Sequence, residues 1–171
     1  IIVNCAGVSA TGDVAANNDE EWHRVIDVNV IGVARVTRAA LPWLRDSGHA
    51  SVVNVASAVV NVGVRDRVLY SASKGAVAAM TIAMAADHVG EGIRVNAVAP
   101  GTAETPWVER LLAAAPNPEE AAVALRARQP LGRLVLAEEV AYAVATLASP
   151  RAASITGAVL PVDGGMATLR V

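Results

Sequence analysis

The chain has 171 residues, 54% of them hydrophobic and 18% charged, with a formal net charge of −2. That is enough chain for one globular domain with a sizeable core, and it is too apolar to be disordered. Arginines scattered against a mildly acidic balance make no basic stripe and no polybasic patch, so the expected partner is a small molecule, not nucleic acid or membrane.

Short β-branched runs alternate with longer stretches of helical period, the pattern of βαβ units around a parallel sheet. Strands are expected at Ile1–Asn4, Ser51–Ala56, Ile93–Val98 and Ala158–Val162, and helices over Asp19–Arg45, Tyr70–Gly90, Pro118–Arg128 and Ala137–Ala148. The first strand opens the chain directly, with no Met, charged n-region or signal-peptide pattern, as though the protein were entered part-way. Cys5 beyond it is the single cysteine, which rules out an internal disulfide or cysteine metal cluster and suits a reducing cytoplasm. His23, His49 and His88 have no ligand spacing, so no metal is expected.

The next helix is signed by Asn18 as N-cap with Glu21 three places on, and a later one by Asn117, Pro118 and two acids. The longest uncharged stretch, Ser47 to Val64, is interrupted by His49, Asn54 and Asn61, and no transmembrane helix is expected. Pro100-Gly101 closes the third strand and opens Thr102 to Pro116, too rich in proline and bulky side chains for a plain turn. Long ordered loops at strand ends are where α/β proteins bind ligands. The last helix carries Glu138 and Glu139, but Leu136 stands where a capping hydroxyl belongs, so a frayed first turn is expected.

Chemistry concentrates in "YSASK". Lys74 is the only lysine, and Tyr70, one of two tyrosines, precedes it by four residues. On a helix the two side chains emerge from one face, a turn apart. An ammonium beside a phenol stabilises the phenolate, lowering a pKa of about 10 toward the range where Tyr70 exchanges protons with a hydroxyl or carbonyl. Lysine suits this better than arginine, because a compact ammonium can approach the phenol and still offer two donors to ribose hydroxyls. On spacing alone, a surface lysine that happens to follow a tyrosine remains an equal alternative. Ser57, at the carboxyl end of "SVVNVAS", puts a hydroxyl where ligands meet parallel sheets. Asn29 lies inside a long helix, where asparagine more often packs or bonds locally.

From Val3 to Gly165, with "NCAG", Asn29, Ser57, Tyr70-x-x-x-Lys74, "PG" and "TGAVLPVDGG", the sequence resembles the short-chain dehydrogenase/reductase family. These are NAD(P)-dependent oxidoreductases. The resemblance implies an α/β, Rossmann-like three-layer αβα fold with a parallel sheet. It also implies that Ser57 hydrogen-bonds the substrate oxygen, that Tyr70 passes the proton, and that Lys74 holds the nicotinamide ribose and tunes Tyr70. Asn29 would support a water leading to Lys74, completing a catalytic set of four. Asn4, Ala6, Gly7, Pro100, Gly101, Ala103 and Thr105 would join Tyr70 and Lys74 against NAD or NADP, with NAD favoured. Cys5 stands where the family more often has asparagine, a change expected to be tolerated because that side chain need not face the cofactor.

The family's glycine-rich Thr-Gly-x-x-x-Gly-x-Gly turn does not occur in this sequence. The first three strands of the full fold are therefore expected to be missing, leaving residues 1–171 as a single partial domain, the carboxyl-terminal two-thirds of an enzyme. "IIVN" would then be an unpaired apolar edge, and the chain by itself would bind cofactor poorly.

The segment after Pro100 resembles that of relatives acting on small hydroxy acids or sugar-derived acids, such as 3-hydroxybutyrate and 2-keto-3-deoxy-fuconate dehydrogenases. Arg67 could fork a carboxylate, or "RDR" could be a solvated loop balanced by Asp66. Arg110 could close over the substrate or sit in an exposed salt bridge, and Trp107 could be a lid side chain or core. Trp22 and Trp43 read as packing, and Ala76, Met80, Ala83 and Met84 as a buried helix face. The resemblance implies a homotetramer or homodimer for the complete enzyme. The rival reading is a non-catalytic nucleotide-binding or scaffolding relative, or an inactive fragment, although neither needs a matched acid/base pair.

Overall fold

The computed structural model describes residues 1–170. The first strand, β1, is Ile2–Asn4, and a loop leads to helix α1, Asp19–Ile26, whose N-cap Asn18 accepts the Glu21 N–H at 2.9 Å. The helix expected to run unbroken to Arg45 is interrupted: Asp27–Ile31 forms a π-helical turn before α2, Gly32–Arg45, resumes. Then come β2, Ser51–Val55, a 3-10 turn at Ala58–Val60, and the long α3, Val68–His88.

β3, Arg94–Pro100, is followed by an excursion. Its elements are β4 at Ala103–Glu104, α4 at Pro106–Ala113, α5 at Pro118–Ala127 and β5 at Val135–Leu136. β4 and β5 pair with each other in parallel, Ala103 opposite Val135, so the two ends of the excursion are fastened together. The chain closes with α6, Ala137–Ala148, and β6, Val159–Val162.

Strands β1, β2, β3 and β6 form one parallel sheet in that order, with Val52 opposite Val95 and Val98 opposite Leu160. Residues of a strand alternate faces, and both faces are covered. On one side Val52 and Val95 pack with Leu44 of α2 and Ala85 of α3. On the other, Val53 and Val98 pack with Ala143 and Leu147 of α6. The result is the three-layer αβα architecture. The ion pairs among the described residues, such as Arg45–Glu91, are partly solvent-exposed and worth about 0–1 kcal/mol each. Each fully buried valine is worth roughly 1.5–3 kcal/mol, so the apolar sandwich holds the layers.

Val68–Glu91 is long and apolar enough to cross a membrane by length and composition alone, which the sequence reading did not anticipate. Here it lies against the sheet, with Leu69, Val77 and Ala85 buried. Of the expected buried face, Met80 and Met84 pack on the core while Ala83 is exposed. Trp22 packs against a small cluster around Val25, but Trp43 is 73% exposed and is no packing residue. The α6 start is held rather than frayed: Glu139 accepts the Leu136 N–H at 2.8 Å and is itself clamped by both Nη atoms of Arg133. The carboxylate one turn into the helix anchors the Leu136 N–H, while no side chain at Leu136 caps the following N–H groups.

Polar groups also cross the interior. Asn4 and Asn54 face each other in register on β1 and β2, and Asn4 Nδ2 donates to Asn54 Oδ1 at 2.8 Å and to Thr37 Oγ1 at 3.2 Å. Asn54 Nδ2 donates to Thr81 Oγ1 at 2.9 Å, and that hydroxyl donates to the Val77 carbonyl. Asn54→Leu would strip partners from Asn4 and Thr81, both buried. Chemical denaturation is expected to show a loss of about 2–4 kcal/mol, and a change under about 0.5 kcal/mol would mean the network is not structural.

Candidate active site

β2 ends at Val55, and two residues later Ser57 caps the 3-10 turn, its Oγ accepting the Val59 N–H at 3.4 Å. The turn brings α3 back beside the strand end. Tyr70 lies in the first turn of α3, and Lys74 follows one turn later, 5% exposed. Lys74 Nζ donates to the Val55 carbonyl at 2.8 Å and stands 5.9 Å from the Tyr70 ring centroid. Ser57, Tyr70 and Lys74 share the wall of a cavity of about 800 Å³, into which Gly7, Pro100, Gly101, Ala103 and Thr105 also face.

Asn29, 1% exposed, stands behind that wall in the π-helical turn. Its Oδ1 accepts the Val8 N–H at 2.8 Å, and its Nδ2 donates to the Val8 carbonyl and to Ser73 Oγ, both at 2.9 Å. Ser73 Oγ passes the chain on to the Tyr70 carbonyl at 2.8 Å. The Asn29 side chain therefore ties the loop after β1 to the helix bearing Tyr70 and Lys74. Its amide is fully engaged and does not line the cavity, so this side chain positions other groups. Gly7 lies over it, where a Cβ would come within 3.3 Å of both Asn29 Oδ1 and Lys74 Nζ. Only glycine passes there without displacing one of them.

Burial pushes the Tyr70 phenol above its ordinary value of 10.0, with the Ser57 hydroxyl and the Arg67 charge pulling it back. Burial likewise pushes the Lys74 ammonium below 10.5, opposed by Cys5. The sequence led to the opposite expectation for Tyr70. The reason is geometric: the ammonium is turned to the Val55 carbonyl, and desolvation of the phenol outweighs the nearby charges.

Other expected residues fall less simply. Asn4 points into the interior network and Ala6 is exposed and not on the cavity, whereas Cys5, which had no need to face the cofactor, lines it. Thr105 lines the cavity but its Oγ1 also caps α4, accepting the Val108 N–H at 3.4 Å. Trp107 is on the cavity and 47% exposed, so it is not core. Arg110 is neither on the cavity nor in an ion pair among the described residues. Arg67 lines the cavity, donating from Nη1 to Thr11 Oγ1 at 2.7 Å and to the Asp66 carbonyl at 2.9 Å. Sequence reasoning missed Thr11, Arg128 and Met166 on the same cavity, and no local pattern marks any of them.

The family model described as enoyl-(acyl carrier protein) reductase matches residues 1–167. The chain belongs to the short-chain dehydrogenase/reductase family. It is 40% identical over 166 residues to the 3-oxoacyl-(acyl-carrier-protein) reductase FabG of Thermotoga maritima, covering 97% of this chain and 65% of that protein. It is 44% identical over 153 residues to the cis-4-hydroxycyclohexanecarboxylate dehydrogenase of Sinomonas cyclohexanicum, covering 90% of this chain and 57% of that one. A solved actinorhodin polyketide ketoreductase with NADPH superposes with a TM-score of 0.91 at 38% identity, covering 98% of this chain and 67% of that one. The chain thus spans 57–67% of the length of these three relatives.

The cavity of this short-chain dehydrogenase/reductase chain fits the ribose end of a nicotinamide cofactor. Lys74 spends one of its three N–H groups on Val55 and keeps two for a diol. The bare Cα of Gly7 leaves the ammonium uncovered on that side.

Proposed function

We propose that this site interconverts a secondary alcohol and its ketone with NAD or NADP, the substrate being a small hydroxy acid or a sugar-derived acid. The observation that supports this best is the convergence of Ser57, Tyr70 and Lys74 on one cavity wall. When bound, the nicotinamide would supply or accept the hydride. Lys74 would hold the ribose hydroxyls, with Gly7, Pro100, Gly101, Ala103 and Thr105 adding contacts around it. Ser57 would donate to the substrate oxygen, and Tyr70 would give that oxygen its proton or take it away. The upward push on the phenol keeps Tyr70 protonated at neutral pH, which suits the donor role. Asn29 would hold α3 in place for both.

The acid class is supported by Arg67 on the cavity and by the relative named for a hydroxycyclohexanecarboxylate. A single domain in the cytoplasm goes with this reading, and exposed Val36, Trp43 and Ile82 on α2 and α3 support a homodimer or homotetramer. The test is calorimetric titration with NAD(H) and NADP(H), followed by absorbance of reduced nicotinamide with 3-hydroxybutyrate and with 2-butanol. The protein is assayed with any residues encoded upstream of Ile1 present. Cofactor binding with faster turnover of the acid is expected, and no binding with no turnover would overturn the reading.

A further inference from the structure

The charges lining the cavity are unbalanced. Arg67, Lys74 and Arg128 bring three cations against one acid, Glu21. Glu21 is already engaged, accepting from Asn17 Nδ2 at 2.9 Å and lying 3.8 Å from Arg24. Among the described residues neither Arg67 nor Arg128 is within ion-pair distance of a carboxylate. Arg67 is pushed below its usual value by burial and by the Arg128 charge, so the two guanidiniums feel each other.

Arg67 is also held in place. Its Nη1 is fixed by Thr11 Oγ1 and the Asp66 carbonyl, leaving Nε and Nη2 to bond elsewhere. The Thr11 loop is docked by the Gly12 N–H on the Asp66 carbonyl at 2.9 Å. Gly12 sits at φ +142°, and a Cβ there would meet the Ala16 Cβ at 2.7 Å, so this docking needs glycine. Arg128 comes from a different element, the carboxyl end of α5 in the excursion fastened by β4 and β5. Arg128 is exposed and lines the same cavity as Arg67; two like charges there repel, and an anion between them turns one repulsion into two charge-assisted attractions.

We propose that Arg67 and Arg128 form a two-sided clamp for the carboxylate of the substrate, with Thr11 as the positioning residue that aims Arg67. This rests on the oxidoreductase reading above and narrows its substrate class to acids whose anionic group reaches between α3 and α5. A bound acid then bridges the wall that carries Tyr70 to the α4–α5 excursion, and a neutral alcohol does not.

The test uses 3-hydroxybutyrate and its methyl ester, which share a carbinol and differ in charge. Binding to the protein saturated with nicotinamide cofactor is read by tryptophan fluorescence, since Trp107 lines the same cavity. Arg67→Ala and Arg128→Ala are each expected to weaken the acid about tenfold or more while leaving the ester and the cofactor unchanged. Arg128→Lys should restore part of the loss. Thr11→Val should weaken the acid severalfold, and Thr11→Ser should restore it. Unchanged acid binding in Arg128→Ala, or equal losses of acid and ester, overturns the clamp. A parallel loss of cofactor affinity overturns it too, since the anion would then be the cofactor's. In each of those cases turnover of the ester or a neutral alcohol would leave the oxidoreductase reading standing, so the two failures are separable.

Discussion

Replacing Tyr70 by Phe is expected to lower kcat by about a hundredfold to ten-thousandfold with little change in cofactor affinity. The substitution keeps the ring, which is largely buried in the cavity wall, and removes only the hydroxyl. The Ser73 bond to the residue 70 carbonyl is backbone-directed and survives. What goes is the proton-carrying group beside Ser57. Steady-state kinetics paired with calorimetric titration of the cofactor separates the two quantities, and a kcat within threefold of the parent would remove Tyr70 from the reaction.

The second large effect belongs to Lys74→Arg, which keeps the charge and changes its shape. Nζ is held at 2.8 Å from the Val55 carbonyl, and even a Cβ on Gly7 would come within 3.3 Å of it. A guanidinium is larger and planar, and it cannot hold the Val55 carbonyl and present the same two donors to a diol from that point. Losing a buried charged hydrogen bond costs about 1.5–3 kcal/mol, so cofactor affinity is expected to fall about tenfold to a hundredfold and kcat/KM by at least as much. Lys74→Met serves as the comparison, close in length but without charge. Near-parental kcat/KM in Lys74→Arg would show that the charge alone suffices and that the ammonium's geometry is irrelevant.

The strands and the Ser57, Tyr70 and Lys74 grouping were legible because their signals are local: β-branched runs, a strand-end hydroxyl and an i,i+4 pair. Most of the rest required knowledge of the third dimension. The π-helical turn has no compositional mark, since one extra residue per turn changes no side chain. The resemblance puts Asn4 against the cofactor, and only its pairing with Asn54 shows that it faces the interior. Arg128 lies fifty-eight residues beyond Tyr70 in the sequence, and nothing in its neighbours announces the cavity. α4, by contrast, could have been found, since Thr105 as N-cap followed by Pro106 at the first helical position is a recognised start. The Tyr70 environment was misjudged because the sequence counts charges but cannot weigh burial against them.

The π-helical turn at Asp27–Ile31 takes up one extra residue without turning the rest of the helix. A π turn holds about one residue more than the roughly 3.6 of an α turn, so deleting one residue there would restore regular winding and leave everything downstream close to its present phase. Thr37 and Leu44 would still meet the sheet through Asn4 and Val52. What would go is the local widening around Asn29, whose amide now reaches both Val8 and Ser73. Such a deletion would spare the scaffold and unfasten the loop after β1 from the helix that bears Tyr70 and Lys74.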